Sequence, residues 1–357
     1  MTIQVGNTLD SIKLINGNDG TVGGLYVTAS SSDNVVLRKF EIWDCTSNGG
    51  SAAGCLAYNF NTLLLDQCVF DGNVLSGSGT YGGAIAYFSS GNLTITDSVF
   101  NENTAELDAG GIYSQNSGTI TCTGSTFTLN GTSSTGASYT DGGCLYSYGG
   151  GIMTFTDCKF DGNYTLATGS GGVAFSWDGE DITFINCTLT NNEAEYGGCF
   201  SNYSSGNVYC VNCTVADNEA RDSGGGGVSS EFGPTFTNCI IWGNYDDLGT
   251  DNFETTATVT YSDVEGGYTG TGNVNDNPNF KAAGDDPYDL ASASAAVDSG
   301  NAGATNYPST DILGRARVDD PDTTNTGAGT PAYSDMGAYE MQVAVAAFVG
   351  SLLLLNN

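Results

Sequence analysis

MTFTDCKFDGN, residues 153–163, and ITFINCTLTNN, residues 182–192, decide the fold, because the same phrase returns along the chain. It reads LLLDQCVFDGN at 63–73, LTITDSVFNEN at 93–103, ITCTGSTFTLN at 120–130, VYCVNCTVADN at 208–218 and PTFTNCIIWGN at 234–244. Each copy ends on an asparagine, Asn73, Asn103, Asn130, Asn163, Asn192, Asn218 or Asn244, spaced 26 to 33 residues from the next. A period of that length marks a solenoid in which each repeat is one unit stacked on its neighbour. The columns Leu65, Ile95, Cys122, Phe155, Phe184, Cys210, Phe236 and Phe70, Phe100, Phe127, Phe160, Leu189, Val215, Ile241 place like on like. Apolar alternation by two gives each strand one buried face, and the slip in phase at the Cys or Ser between the columns marks a bend between two short strands.

A third strand precedes these two, announced by paired glycines at Gly82, Gly110, Gly142, Gly171, Gly197 and Gly225. The intervening stretches, such as SQNSG and SWDGED, are too short and polar for a crossover helix. The expected fold is therefore all-β: a right-handed parallel β-helix with three short strands per coil over residues 35–266. An entry or cap segment (1–34) precedes it, and a C-terminal cap (267–341) and an apolar tail (342–357) come after it. The seven asparagines are expected to bond coil to coil as a structural ladder, since asparagine tolerates tight turns and bonds neighbouring backbone.

Eight Lys and Arg stand against 40 Asp and Glu, for a formal charge of −32, and histidine is absent. Such a surface repels phosphate backbones, so nucleic acid is excluded as a partner. The lack of histidine removes His-based zinc sites and Ser-His-Asp triads. Solubility is the preferred reading of this acidity; calcium is the cofactor it also admits, although no calcium-loop motif gives it a position. The eleven cysteines fall into interior columns, Cys45, Cys68, Cys158, Cys187, Cys213 and Cys239 in one, Cys55, Cys144 and Cys199 in another and Cys122 and Cys210 in a third, where a thiol serves as a small hydrophobe.

Catalysis has three candidates. Asp97 and Asp157 hold the same repeat position with Gly124 between them, which at two strand spacings puts them about 9 to 10 Å apart, near the limit for an inverting glycosidase pair. Lys159 is the basic residue inside the phrase, beside Asp157 and Asp161. Both also read as ordinary structure: turn carboxylates and a surface ion pair. Tyr146, Tyr148, Trp177, Tyr196 and Tyr203 are the candidate ligand-binding residues, as aromatic platforms for sugars if they line one face.

GGAI at Gly82 to Ile85 and the F-x-x-N pattern at Phe70 to Asn73, Phe100 to Asn103, Phe127 to Asn130 and Phe160 to Asn163 resemble the repeats of chlamydial polymorphic outer membrane proteins over residues ~50 to 245. VTYSDVEGGYTGTGNVNDNPNF from Val259, YDLASASAAVDSGN from Tyr288, TDILGRARV from Thr310 and SDMGAYE from Ser334 resemble the choice-of-anchor Q domain. These resemblances imply a secreted or cell-surface adhesin in contact with carbohydrate or with molecules of a host or neighbouring cell. They also place Asp298, Asp311 and Asp335 at recurrent acidic positions, as a carboxylate and arginine network or as a calcium site. No outer-membrane barrel is expected, because the stretch after the repeats is too short. No signal peptide is visible in residues 1 to 30. The tail Val343 to Leu355 reads as a truncated anchor or as a pairing strand for self-association. The expected function is non-enzymatic adhesion or carbohydrate contact; the alternatives are a polysaccharide lyase or glycoside hydrolase acting on acidic glycans, and a surface-layer or filament subunit.

Overall fold

The computed structural model describes residues 2–4, 8–28, 31–77, 81–115, 118–134, 140–149, 151–166, 168–178, 181–203, 206–222, 224–230, 233–250, 252–254, 256–281 and 286–343. Three parallel sheets of nine, ten and ten strands wrap one elongated core. Sheet I carries the strands after the glycine pairs, such as Leu145–Ser147 and Ala174–Ser176. Sheets II and III carry the two halves of the phrase, such as Met153–Thr156 and Lys159–Asp161. Like residues lie in register from coil to coil, as in Phe100↔Phe127 and Phe127↔Phe160. The fold is the expected right-handed parallel β-helix, with no helix among the described residues.

Two features go beyond the expectation. Most coils add a short fourth strand after the ladder asparagine, such as Thr104–Ala105 or Glu193–Ala194. At the other end of the chain, strands Thr2–Gln4, Thr8–Asp10 and Lys13–Ile15 already pair in parallel with the next coil. The solenoid thus begins inside residues 1–34, where the sequence alone suggests an entry segment.

Each bend rests on a residue in the left-handed region. Between sheets II and III it is Asp97 (φ 47), Gly124 (φ 63), Asp157 (φ 54), Asn186 (φ 58), Asn212 (φ 50) and Asn238 (φ 58) in six coils, and Ser11, Lys39, Gln67 and Tyr261 in the four nearer the ends. Asp, Asn and Gly bear this conformation at least cost. The glycine pair before sheet I divides two tasks: Gly171 supplies φ 70, while a Cβ on Gly172 would stand 2.2 Å from the Gly198 carbonyl. Coils pack that closely only where no side chain intervenes.

The seven asparagines do form the ladder, all fully buried. Asn163 Nδ2 donates to Phe127 O and to Asn192 Oδ1, both at 3.0 Å, while its Oδ1 accepts from Asn130 N and Nδ2, also at 3.0 Å. Asn252, which belongs to no phrase, ends the series by accepting from Asn244 Nδ2 at 2.9 Å. Beside it the phenylalanine column stacks at 4.6 to 5.0 Å between centroids from Phe70 to Phe160. Such pairs are worth about 0.5–1.5 kcal/mol each beyond their buried area. All eleven cysteines are buried and unbridged. Several thiols donate to a carbonyl of the preceding coil, as Cys239 does to Cys210 O at 3.4 Å.

The C-terminal part covers more flank than end. Tyr268 packs on Phe253 against the last coil of the core (centroids 5.2 Å). Residues 286–343 then fold back along the corner between sheets II and III, where Leu290, Ala296, Val297, Met336 and Met341 bury Ile240. Their landing strip is the row of bend asparagines. Asn186 Oδ1 accepts from Arg317 Nη2 (3.0 Å), Asn212 Nδ2 donates to Asp335 O (3.2 Å), and Asn238 exchanges two bonds with the Asn301 backbone (2.7 and 3.0 Å). The segment acts as a clasp on the side of the solenoid. Of the apolar tail, everything after Val343 lies outside the described residues.

Candidate functional site

Sheet I strands have three-residue cores whose central side chain points outward, and there aromatics accumulate. Tyr113, Tyr146 and Phe175 occupy this position on successive coils. With Tyr81 they form a stack at 4.4, 5.3 and 5.5 Å between centroids. They shield one another, so Tyr146, expected as a sugar platform, is only 8% exposed and belongs to a buried aromatic cluster. Two residues beyond Tyr146, Phe175 and Ser201 of the next coil, the following outward position is occupied by Tyr148, Trp177 and Tyr203, 39%, 40% and 58% exposed. Backbone bonds from Tyr148 N, Trp177 N and Tyr203 N to Ser114, Ser147 and Ser176 hold this row in step. Trp177 and Tyr203 stack at 4.9 Å and 18°. Tyr196 stands apart, at the start of its coil, its hydroxyl donating to Asp222 Oδ2 at 3.2 Å.

Beside the buried cluster lies a carboxylate pair that the periodicity does not single out. Asp108 and Asp141 occupy the step before sheet I on adjacent coils. Asp108 Oδ1 accepts from Asp141 N (3.2 Å), and Asp141 Oδ1 accepts from Ser170 N (2.9 Å). Burial, reinforced by the Asp141 charge, pushes Asp108 up to about 7, and burial pushes Asp141 up to about 6. The signal is present in the sequence as an acidic residue shortly before the glycines in two consecutive coils. Because these oxygens serve backbone N–H groups, the pair ties coil to coil.

The three catalytic candidates do not converge on an open groove. Asp97 and Asp157 stay two coils apart, and Asp97 Oδ1 lies 2.5 Å from where a Cβ on Gly124 would be. Asp157 Oδ1 accepts from Asn186 Nδ2 at 2.6 Å, beside Arg317 and Asp311 of the clasp, and burial raises its pKa. Lys159 Nζ is bound to Asp286 Oδ2 at 2.7 Å. Lys159 is thus engaged by the C-terminal segment, and Asp157 by the bend asparagine on which that segment lands.

Of the three metal candidates, Asp311 and Asp335 are engaged within the C-terminal segment, while Asp298 accepts from Asp320 N at 3.2 Å through Oδ2 and its Oδ1 is buried without a partner among the described residues. Asp311 Oδ2 accepts from Arg315 Nε (2.6 Å), and Asp335 accepts from Asp298 N (2.8 Å) and Met341 N (2.7 Å). Arg317 and Glu340 form a buried ion pair at 2.9 Å. Burial, with the charges of Asp319, Asp320 and Glu340, pushes Asp298 up to about 7. Among the described residues no group of three such ligands gathers to hold a metal ion. Of the three candidates, Asp311 pairs with an arginine, and Asp298 and Asp335 serve backbone N–H groups.

Residues 141–267 match the family model described as right handed beta helix region. No curated protein and no solved structure matches the chain. The matched stretch contains Tyr148, Trp177 and Tyr203, and it identifies the scaffold on which they stand without assigning them a ligand.

Proposed function

We propose that this β-helix is a non-enzymatic binding protein of the cell surface or extracellular space, which contacts carbohydrate through the aromatic row of sheet I. The observation that carries the reading is the row itself, Tyr148, Trp177 and Tyr203, exposed on successive coils of a rigid sheet. Trp177 holds one face of Tyr203, which positions the ring before any ligand arrives, and Tyr203 remains the most exposed of the three. Aromatic rings take the apolar faces of sugars, and rings ordered in advance lose little entropy on binding. A formal charge of −32 favours neutral over acidic glycans. The surface assignment draws on the resemblance to the polymorphic outer membrane protein repeats and the choice-of-anchor Q domain.

Lyase or hydrolase chemistry would require Asp97, Asp157 and Lys159 to face a substrate, and the bond of Asp157 to Asn186 and the ion pair of Lys159 with Asp286 of the clasp speak against it. The test is a glycan array probed with the full chain, followed by titration of the hits. Trp177→Ala and Tyr203→Ala are expected to weaken binding about tenfold or more, the loss of ~1.4 kcal/mol of stacking, without lowering the melting temperature. Binding unaffected by either change, or release of reducing ends from any glycan, would overturn the proposal.

A further inference from the structure

A second surface is created where the clasp meets the solenoid. The outer face of sheet II and the turn at residues 301–306 enclose a cleft of about 570 Å³. Its floor is built in register: Thr183↔Tyr209↔Thr235 in one outward row and Val211↔Thr237 in the next. The corresponding row in earlier coils runs Leu64, Thr94, Thr121 and Thr154, so Tyr209 is the aromatic that interrupts a face of threonines. Asn301, Ala304 and Asn306 make the wall, which is fixed to the solenoid by the two Asn301 bonds to Asn238. The hydroxyls of Thr183, Tyr209 and Thr235 are not spent on any other described residue.

We infer that this cleft is a binding site for a short segment of a neutral glycan, with Tyr209 as the stacking floor and threonine hydroxyls and asparagine amides as the polar partners. The volume lies within the ~300–1,000 Å³ of small-molecule sites. The lining contains no Lys or Arg to hold an anion, and its one charged residue, Asp181, already accepts from Asn207 N at 3.0 Å. Val211 and Ala304 offer too little apolar surface for a lipid or a hydrophobic peptide. A peptide strand would also find no backbone partners, because the floor is a sheet face whose N–H and C=O groups are consumed between coils. One aromatic plane ringed by hydroxyls and amides, those of Thr183 and Thr235 unspent, matches a polyol.

The cleft lies on a different sheet from the Tyr148, Trp177 and Tyr203 row, so the two sites are separable by experiment. The full chain is titrated calorimetrically with pentaoses of cellulose, xylan, mannan, laminarin and chitin. Tyr209→Ala and Ala304→Trp, the second chosen to fill the cleft, are each expected to reduce affinity at least tenfold, while Tyr209→Phe retains most of it. An unchanged melting temperature keeps a folding defect apart from a lost contact. Binding abolished by Trp177→Ala but untouched by Tyr209→Ala and Ala304→Trp overturns the cleft and leaves the sheet I row standing. The opposite pattern upholds the cleft and refutes the row. Failure of all five sugars to bind at millimolar concentration overturns the cleft proposal.

Discussion

Replacing Asn163 by alanine in the middle of the ladder should be among the costliest single changes in this molecule. Four hydrogen bonds of 3.0 Å are lost together, two donated by Nδ2 and two accepted by Oδ1. A buried hydrogen bond contributes ~1 kcal/mol net, and a partner left unsatisfied costs about 1–3 kcal/mol. Asn130 N loses its acceptor outright, whereas Asn192 Oδ1 keeps a bond from Asn163 N at 2.9 Å. The expected loss is therefore about 3–5 kcal/mol. Urea unfolding followed by circular dichroism measures it, with Asn34→Ala as the control. Asn34 also bonds the next coil but is exposed, and its loss should cost under ~0.5 kcal/mol. Hydrogen exchange should accelerate most in the coils of Asn130 and Asn192, since a solenoid couples chiefly to nearest neighbours. Asn163→Asp sharpens the test. A carboxylate keeps the acceptor role toward Asn130 but faces Phe127 O and Asn192 Oδ1 with nothing to donate, so its penalty should grow as pH rises. If Asn163→Ala costs no more than Asn34→Ala, the ladder does not stabilise the fold as described.

Stability should fall as pH rises from 5 to 8. Asp108, Asp263 and Asp298 titrate near 7 and Asp141 near 6 in the folded protein, against ~3.9 when unfolded. Their raised values favour the folded state fully only below ~4, and that contribution is lost as pH climbs through 6 and 7. Calorimetry showing a flat or rising melting temperature across this range would contradict the burial of these groups. Arg317→Met leaves Glu340 buried without its cation, which costs about 3–5 kcal/mol and should release the clasp first; limited proteolysis should then cut within residues 286–343 while the solenoid survives. Finally, the eleven thiols should resist a water-soluble disulfide reagent until the protein unfolds, since burial pushes Cys55, Cys68, Cys144 and Cys199 upward, Cys68 to about 11. Rapid reaction of even two thiols in the folded protein would refute their placement in the core.

Most of the coil was legible in the amino-acid order because its determinants are local. The bend residue, the Cys or Ser after it, the aromatic two places on and the ladder asparagine all lie within one eleven-residue phrase, and a solenoid repeats that local solution. Two local features escaped: the two-residue strands after the ladder are too short to show periodicity, and Asn252 joins the ladder from outside any phrase. Where an outward side chain ends up was not legible, because Tyr146 and Tyr148 differ by two positions and share a face. Only the neighbours from adjacent coils bury the first and leave the second exposed.

The repeated phrase by itself determined an all-β parallel solenoid, its asparagine ladder and its interior cysteine columns, since a period of 26 to 33 residues and alternation by two leave the chain no other way to bury its apolar face. Tertiary structure alone decided that residues 286–343 clasp the flank, that Lys159 and Asn186 serve that contact, and that a cleft opens beside Tyr209. The reason is separation along the chain: Asn186 meets Arg317 across 131 residues and Lys159 meets Asp286 across 127. No repeat encodes such pairings; the change from Asp97 and Asp157 to Asn186, Asn212 and Asn238 at the bend was their one trace in the sequence.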